Sequence, residues 1–227
     1  MKQKILIVDD ERDICEILDF NLANEGYETV CANSAEEALT KLTPDTSLIL
    51  LDVMMGGMSG YKFAETLRRS ENQTPIIFLT AKDSENDMLT AFSVGGDDYV
   101  SKPFSIKEVI ARVKAVLRRQ KSNESTAESA DNELVVDDLK INFELKELTI
   151  GDEKIVLTKT EFEILALLAK NQQRIFSRED VIEKVWADTP YITERTVDVH
   201  ITRLRKKLGN KSSIISNRSG YGYRFNA

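Results

Sequence analysis

Three short runs, residues 5–8 (ILIV), 48–51 (LILL) and 76–79 (IIFL), contain no polar side chain, and they constrain the first half of this chain more than any other feature. A strand that is apolar on both faces must be covered on both faces, which is the situation of a central strand in a parallel sheet. Helical patterns separate the runs. Ile14, Ile17, Leu18 and Leu22 share one face of a helix over residues 14–23, and residues 35–42 read as a second helix. The repeated unit is βα, so a doubly wound α/β domain is expected.

Each run ends at a residue with chemistry to offer. Asp9-Asp10 follow the first, Asp52 the second and Thr80 the third, while a fourth segment, 98–101, ends at Lys102-Pro103. Ligands of open parallel sheets bind beyond the carboxyl ends of the strands. Adjacent strands lie only ~4.8 Å apart, so these side chains converge. Three carboxylates in one pocket repel one another. A divalent cation relieves that repulsion, and an all-oxygen donor set favours Mg2+. A carboxylate such as Asp52 can attack phosphorus to form an acyl phosphate. Lys102 offers the phosphoryl oxygens a positive charge and Thr80 a hydroxyl donor. The plainer reading, in which Asp9 and Asp10 cap a helix and Asp52 starts a loop, suits any one of these acids but not the set.

Residues 122–133 are polar, lack aromatic side chains and read as a linker between 1–121 and 134–227. The second part opens with four short strands near 134–136, 139–142, 147–150 and 154–156. Thr158 and Glu161 have capping-box spacing ahead of a helix bearing Phe162, Leu165, Leu168 and Ala169. Ser177 caps a second helix carrying Val181, Ile182, Val185 and Trp186, the last a core residue. A third runs from about residue 193 to 208 and stops at Gly209. A hairpin with Gly220-Tyr-Gly222 near its turn closes the chain.

The third helix is two-faced. Val197, Ile201, Leu204 and Leu208 form one apolar stripe. Arg195, Val199, Thr202, Arg203 and Lys206 lie opposite, with Arg205 and Lys207 flanking them. The net charge of −7 hides this asymmetry: residues 195–227 carry eight basic side chains and one acidic. A basic end on an acidic body is the footprint of phosphate binding. A helix of this length, ~22 Å, fits a major groove. There an arginine can read guanine, Val199 can touch a thymine methyl, and lysines set register on phosphates. His200 sits at the edge of the apolar face, suited to packing or to a phosphate contact. Asp198 is expected to pair with a nearby arginine, and Tyr221 and Tyr223 to be structural.

The two cysteines, Cys15 and Cys31, form no CxxC motif and read as buried thiols of a reducing compartment. Acids interrupt the first apolar run too early for a secretory signal, and no stretch approaches the ~20 apolar residues of a membrane span. A cytoplasmic protein is expected.

The text KILIVDDE, LILLDVMM-GGMSG, PIIFLTA and GGDDYVSKPF, across residues 1–121, resembles the response-regulator receiver family. That resemblance implies a flavodoxin-like parallel sheet of order 2-1-3-4-5 with five helices. It implies phosphorylation of Asp52 by a sensor histidine kinase, with at most slow self-dephosphorylation. Mg2+ would be held by Asp10, Asp52 and the Met54 carbonyl, with Asp9 assisting. Thr80 and Tyr99 would be a switch pair, and Lys102-Pro103 a cis peptide. Two departures stand out. Gly56 replaces the proline usual after the phosphorylated strand, within Gly56-Gly-Met-Ser-Gly60, which is expected to loosen the loop. Met88 replaces a basic residue of the family's dimer face on the fourth and fifth helices, leaving Asp97, Asp98, Glu108, Arg112 and Lys114 for pairing across a homodimer.

The segments LTKTEFEILALLAKN, SREDVIEKVW, ERTVDVHITRLRKKLG and GYGYRF resemble the OmpR/PhoB-type effector domain, an α+β winged helix-turn-helix. The implied DNA contacts are Arg195, Thr196, Val199, His200, Thr202, Arg203, Arg205 and Lys206. Arg218 would enter the minor groove, although Ser219 stands at the family's usual arginine position. Residues 188–193 would touch RNA polymerase. The combined expectation is a transcription factor controlled by phosphorylation, not an enzyme. An aspartate-nucleophile phosphatase is excluded because Met54 and Glu11 stand where the Asp-x-Asp pair needs its second acid. The alternative is a phosphorylation-independent regulator that uses the receiver as a dimer scaffold.

Overall fold

The computed structural model describes residues 2–81, 85–121, 132–172, 174–187 and 192–226, without the side chains of 85, 86 and 119–121. The chain divides into two compact units, Met1–Gln120 and Lys121–Ala227. Most of the linker expected at 122–133 lies outside the described residues.

The first unit alternates strands and helices: β1 (Lys4–Val8), α1 (Arg12–Asn24), β2 (Glu28–Ala32), α2 (Ala35–Lys41), β3 (Thr46–Asp52), α3 (Gly60–Arg69), β4 (Ile76–Thr80), α4 (Glu85–Ser93), β5 (Asp98–Ser101) and α5 (Ile106–Lys121). The strands form one parallel sheet in the order β2-β1-β3-β4-β5. Alternate residues of the bare runs feed two separate cores. Leu6, Val8, Ile49, Leu51 and Phe78 pack with Ala35, Ala38, Phe63 and Leu67 of α2 and α3. Ile5, Ile7, Leu48, Leu50, Ile77 and Leu79 pack with Leu18 and Leu22 of α1 and Val109 and Val113 of α5. Each such buried aliphatic side chain contributes roughly 1.5–3 kcal/mol of transfer free energy, which is why these runs hold no polar residue.

The second unit opens with the antiparallel sheet β6 (Glu133–Val136), β7 (Leu139–Asn142), β8 (Glu147–Ile150) and β9 (Glu153–Ile155). Helices α6 (Lys159–Ala169), α7 (Arg178–Val185) and α8 (Glu194–Leu208) follow. A 3-10 turn, Gly209–Ile214, leads into the hairpin β10 (Ile215–Arg218) and β11 (Gly222–Phe225). Thr158 and Ser177 cap α6 and α7, each in a complete capping box, the latter closed by Asp180. Gly209 ends α8 with φ 56°, a left-handed value that favours glycine. The core gathers Phe162, Leu165 and Leu168 of α6, Val181 of α7, Trp186, and the α8 stripe Val197, Ile201, Leu204 and Leu208.

Candidate functional site

Asp9 and Asp10 follow β1, and Asp52 ends β3, the strand paired beside it. Asp9 and Asp52 are buried and Asp10 is exposed. One carboxylate oxygen from each of the three lies within 4.8 Å of the others. The Lys102 ammonium reaches in from beyond β5, 2.9 Å from Asp9, 3.5 Å from Asp52 and 3.2 Å from Glu11. Burial pushes the Asp9 and Asp52 carboxyls up, and the Asp9 charge raises Asp52 further. Burial disfavours the charge on Lys102, but Asp9, Asp52 and Glu11 outweigh it and hold the ammonium protonated.

Thr80 is buried at the end of β4, one residue past Leu79, the register partner of Asp52. The Lys102 amide donates to the Thr80 carbonyl at 2.6 Å, and the Lys102-Pro103 peptide is cis. Tyr99 is half-buried in β5, its ring edge-on to Phe92 at 6.0 Å. Met54 is 58% exposed on the loop after β3.

That loop is tied down at two points. The Gly56 amide donates to Asp10 at 3.2 Å and the Met58 amide to Glu36 at 3.1 Å. Gly56, expected to loosen the loop, thus supplies an anchor, because its N–H is the donor a proline lacks. Sequence reasoning assigned no role to Glu11, Glu36 or Gly60. A side chain at Gly60 would overlap the Asp52 carbonyl oxygen, so only glycine lets α3 begin this close to the site. The Gly56-Gly-Met-Ser-Gly60 text held that signal.

In the second unit, Arg195, Thr202 and Lys206 are exposed along α8 with Val199 half-buried among them. Arg218 is exposed where the hairpin turns. Thr196 and His200 are fully buried, which corrects their placement among DNA contacts. They flank the apolar stripe, and the domain covers more of the helix than the stripe alone; His200 packs against Trp186 at 5.5 Å. Two arginines are also redirected. Arg203 pairs with the buried Glu161 at 3.1 Å, and Lys207 joins it at 2.6 Å. Arg205 donates to the Ile215 carbonyl and lies over the Tyr223 ring. Asp198 pairs with Arg178 at 2.7 Å and accepts from the Tyr223 hydroxyl at 2.6 Å. Tyr223 is buried, whereas Tyr221 is 74% exposed and is no core residue.

The residues expected at a dimer face are engaged within one chain. Asp97 and Asp98 are buried: Asp97 meets Arg68 and the Ile76 amide, while Asp98 pairs with the buried Arg112 at 2.9 Å. This corrects the placement of Asp97, Asp98 and Arg112 on an exposed surface. Glu108 pairs with Arg112, and Lys114 with Glu25, but both keep partly exposed side chains. Met88 is buried as well. Of residues 188–193, positions 188–191 lie outside the described residues.

Residues 5–114 match the response regulator receiver domain family, and residues 152–225 match the transcriptional regulatory protein C-terminal family. A heme response regulator, HssR of Staphylococcus epidermidis, is 40% identical, the alignment covering 96% of each chain. The alkaline phosphatase synthesis regulator PhoP of Bacillus subtilis is 39% identical over 99% of this chain and 97% of its own. The chain is a response regulator of the OmpR/PhoB type. DrrB of Thermotoga maritima, an OmpR/PhoB homologue of known structure, is 30% identical and superposes over all of both chains with a TM-score of 0.53. This response regulator is therefore a transcription factor built from a receiver and a DNA-binding domain. Among the described residues, no helix is long and apolar enough to cross a membrane.

Proposed function

We propose that this response regulator is cytoplasmic, that Asp52 is its phosphoacceptor and that a sensor histidine kinase supplies the phosphoryl group. One observation carries the reading: a buried strand-end carboxylate clustered with Asp9 and Asp10 and facing the Lys102 ammonium at 3.5 Å. A carboxylate oxygen of Asp52 attacks phosphorus, the phosphorus–nitrogen bond of a phosphohistidine breaks with its electron pair staying on nitrogen, and an acyl phosphate forms. Lys102 exchanges its carboxylate contacts for the phosphoryl oxygens, and the Thr80 hydroxyl donates to one of them while Tyr99 follows it inward. Slow attack by water on the acyl phosphate resets the site.

The pocket fits Mg2+. Its donors are all oxygen, and the buried Oδ1 of Asp52 accepts no hydrogen bond among the described residues. Asp10, Asp52 and the Met54 carbonyl would hold the ion, with Asp9 assisting. Bound there, it supplies positive charge that offsets the carboxylates and the phosphoryl oxygens.

The output is promoter binding by α8 in the major groove, through Arg195, Val199, Thr202 and Lys206, with Arg218 at the minor groove. Phosphorylation promotes a homodimer through α4 and α5, where Glu108 and Lys114 remain accessible. Residues 188–193 meet RNA polymerase. Incubation with a small phosphodonor and Mg2+ should label the protein on Asp52, and Asp52→Asn should abolish the label. Undiminished labelling of that variant would refute the assignment.

A further inference from the structure

The chain's two cysteines meet in the fold, and no step above uses them. Cys15 is buried on the sheet-facing side of α1, while Cys31 is half-buried on the edge strand β2, its register partner Ile7 lying in β1. Their contacts are reciprocal. The Cys31 sulfur lies 3.8 Å from the Cys15 carbonyl oxygen, and the Cys15 sulfur lies 4.0 Å from the carbonyl of Ala32, the residue after Cys31. The Cys15 thiol also donates to the Asp9 carbonyl at 3.4 Å, so the pair is joined by one hydrogen bond to the backbone of the acidic pocket.

We propose that Cys15 and Cys31 are a peroxide-responsive thiol pair that closes to an intramolecular disulfide and so alters phosphoryl transfer to Asp52. The second clause rests on the phosphoacceptor reading above; the thiol chemistry does not.

The two thiols are unequal: Cys15 is buried and Cys31 only half-buried, so peroxide reaches Cys31 first. Cys31 attacks as its thiolate, the nucleophilic form. Its sulfur bonds to one oxygen of hydrogen peroxide, the oxygen–oxygen bond breaks, and the departing hydroxide takes up a proton as water. The sulfenic acid left on Cys31 is attacked by the Cys15 sulfur. The sulfur–oxygen bond breaks, and its hydroxyl leaves as water with the Cys15 proton. Two thiols lose two electrons, and one peroxide becomes two waters. Small thiols restore the pair by exchange. The disulfide consumes the Cys15 hydrogen, so the Asp9 carbonyl loses its donor and the start of α1 is drawn toward β2.

The test uses the full chain, reduced and then exposed to hydrogen peroxide. Expected are a protein lighter by two hydrogen atoms, no thiol left to alkylate, a Cys15–Cys31 cross-linked peptide and a monomer on a non-reducing gel. Cys31→Ser should prevent the loss, and Cys15→Ala should halt at a sulfenic acid that dimedone traps. Two alkylatable thiols after treatment, or a disulfide between chains, would overturn the pair. The oxidised chain should be labelled by a small phosphodonor at a rate changed by about two- to fivefold, the size of one neutral hydrogen bond, and reductant should restore it. Reduced protein that does not label sinks the phosphoacceptor reading and leaves the pair standing. Reduced protein that labels at a rate indifferent to the disulfide sinks the coupling.

Discussion

Asp52 sits where its own charge is disfavoured: burial and the neighbouring Asp9 both raise its carboxyl, and Lys102 offsets them only in part. Neutralising it without changing its shape should therefore stabilise the metal-free receiver. Asp52→Asn is expected to raise the receiver's unfolding transition in chelator by about 1 kcal/mol, a few degrees. In Mg2+ the advantage should shrink or reverse, because the ion stabilises only the folded wild type. Calorimetry in both buffers checks this, and a lower transition for the variant in chelator would contradict the repulsion. Gly60 makes the opposite case. An alanine there collides with the Asp52 carbonyl oxygen. Gly60→Ala should cost about 1–3 kcal/mol in urea unfolding and slow the labelling of Asp52, since relieving the overlap moves the strand end that carries it.

The recognition helix α8 is pinned by one buried acid. Glu161 closes the cap of α6 through the Thr158 amide and receives Arg203 and Lys207 from α8. Burial opposes ionisation of Glu161, but the two cations outweigh it and hold its carboxyl below the ordinary 4.5. The folded form ionises more readily than the unfolded one. Its stabilisation is thus complete above the unfolded value and is lost as pH falls through the folded one. Trp186, the only tryptophan and a buried one, reports this unit's unfolding by fluorescence. Its transition should move to lower temperature in acid below pH 4.5, and Glu161→Gln should flatten that dependence. Glu161→Ala should cost about 3–5 kcal/mol at neutral pH, because two cations are left without their acid. The same contacts divide the basic residues of α8. Lys206→Ala should lower the salt dependence of DNA binding by about one unit of slope with stability unchanged. Arg203→Ala should mainly lower the Trp186 transition. The capping box of α6, the Ser177 cap of α7, the apolar stripe of α8 and the bare strands were legible in the sequence, because each depends on residues within one or two turns or a single run. The ion pairs of Glu161 were not, since their partners lie about forty positions downstream. The helical wheel put His200 at the edge of the apolar face but left packing and a phosphate contact both open, and it gave no sign that Thr196 is buried. In the receiver, two strand ends gave the acids, but nothing local marked Glu11 or Glu36 as their supports.

At the scale of the whole molecule, charge makes phosphorylation a poor direct aid to DNA binding. The chain carries −7, while residues 195–227 hold eight basic side chains against one acidic, so everything before them is strongly acidic. A phosphoryl group adds roughly −1.5 to −2 more. By field alone it should weaken attraction to DNA, most visibly at low salt. Any gain in affinity must come from pairing two chains, so that the second recognition helix binds at high effective concentration. The consequence depends on the DNA used. With phosphodonor and Mg2+, affinity for a duplex bearing two half-sites should rise by about a hundredfold, while affinity for a single half-site should stay level or fall slightly. Asp52→Asn should show neither change. Gel shifts on the two duplexes, with and without phosphodonor, separate the cases. An equal rise on both would mean that phosphorylation acts inside one chain, and equal affinity with and without phosphodonor would favour a receiver that serves only as a scaffold.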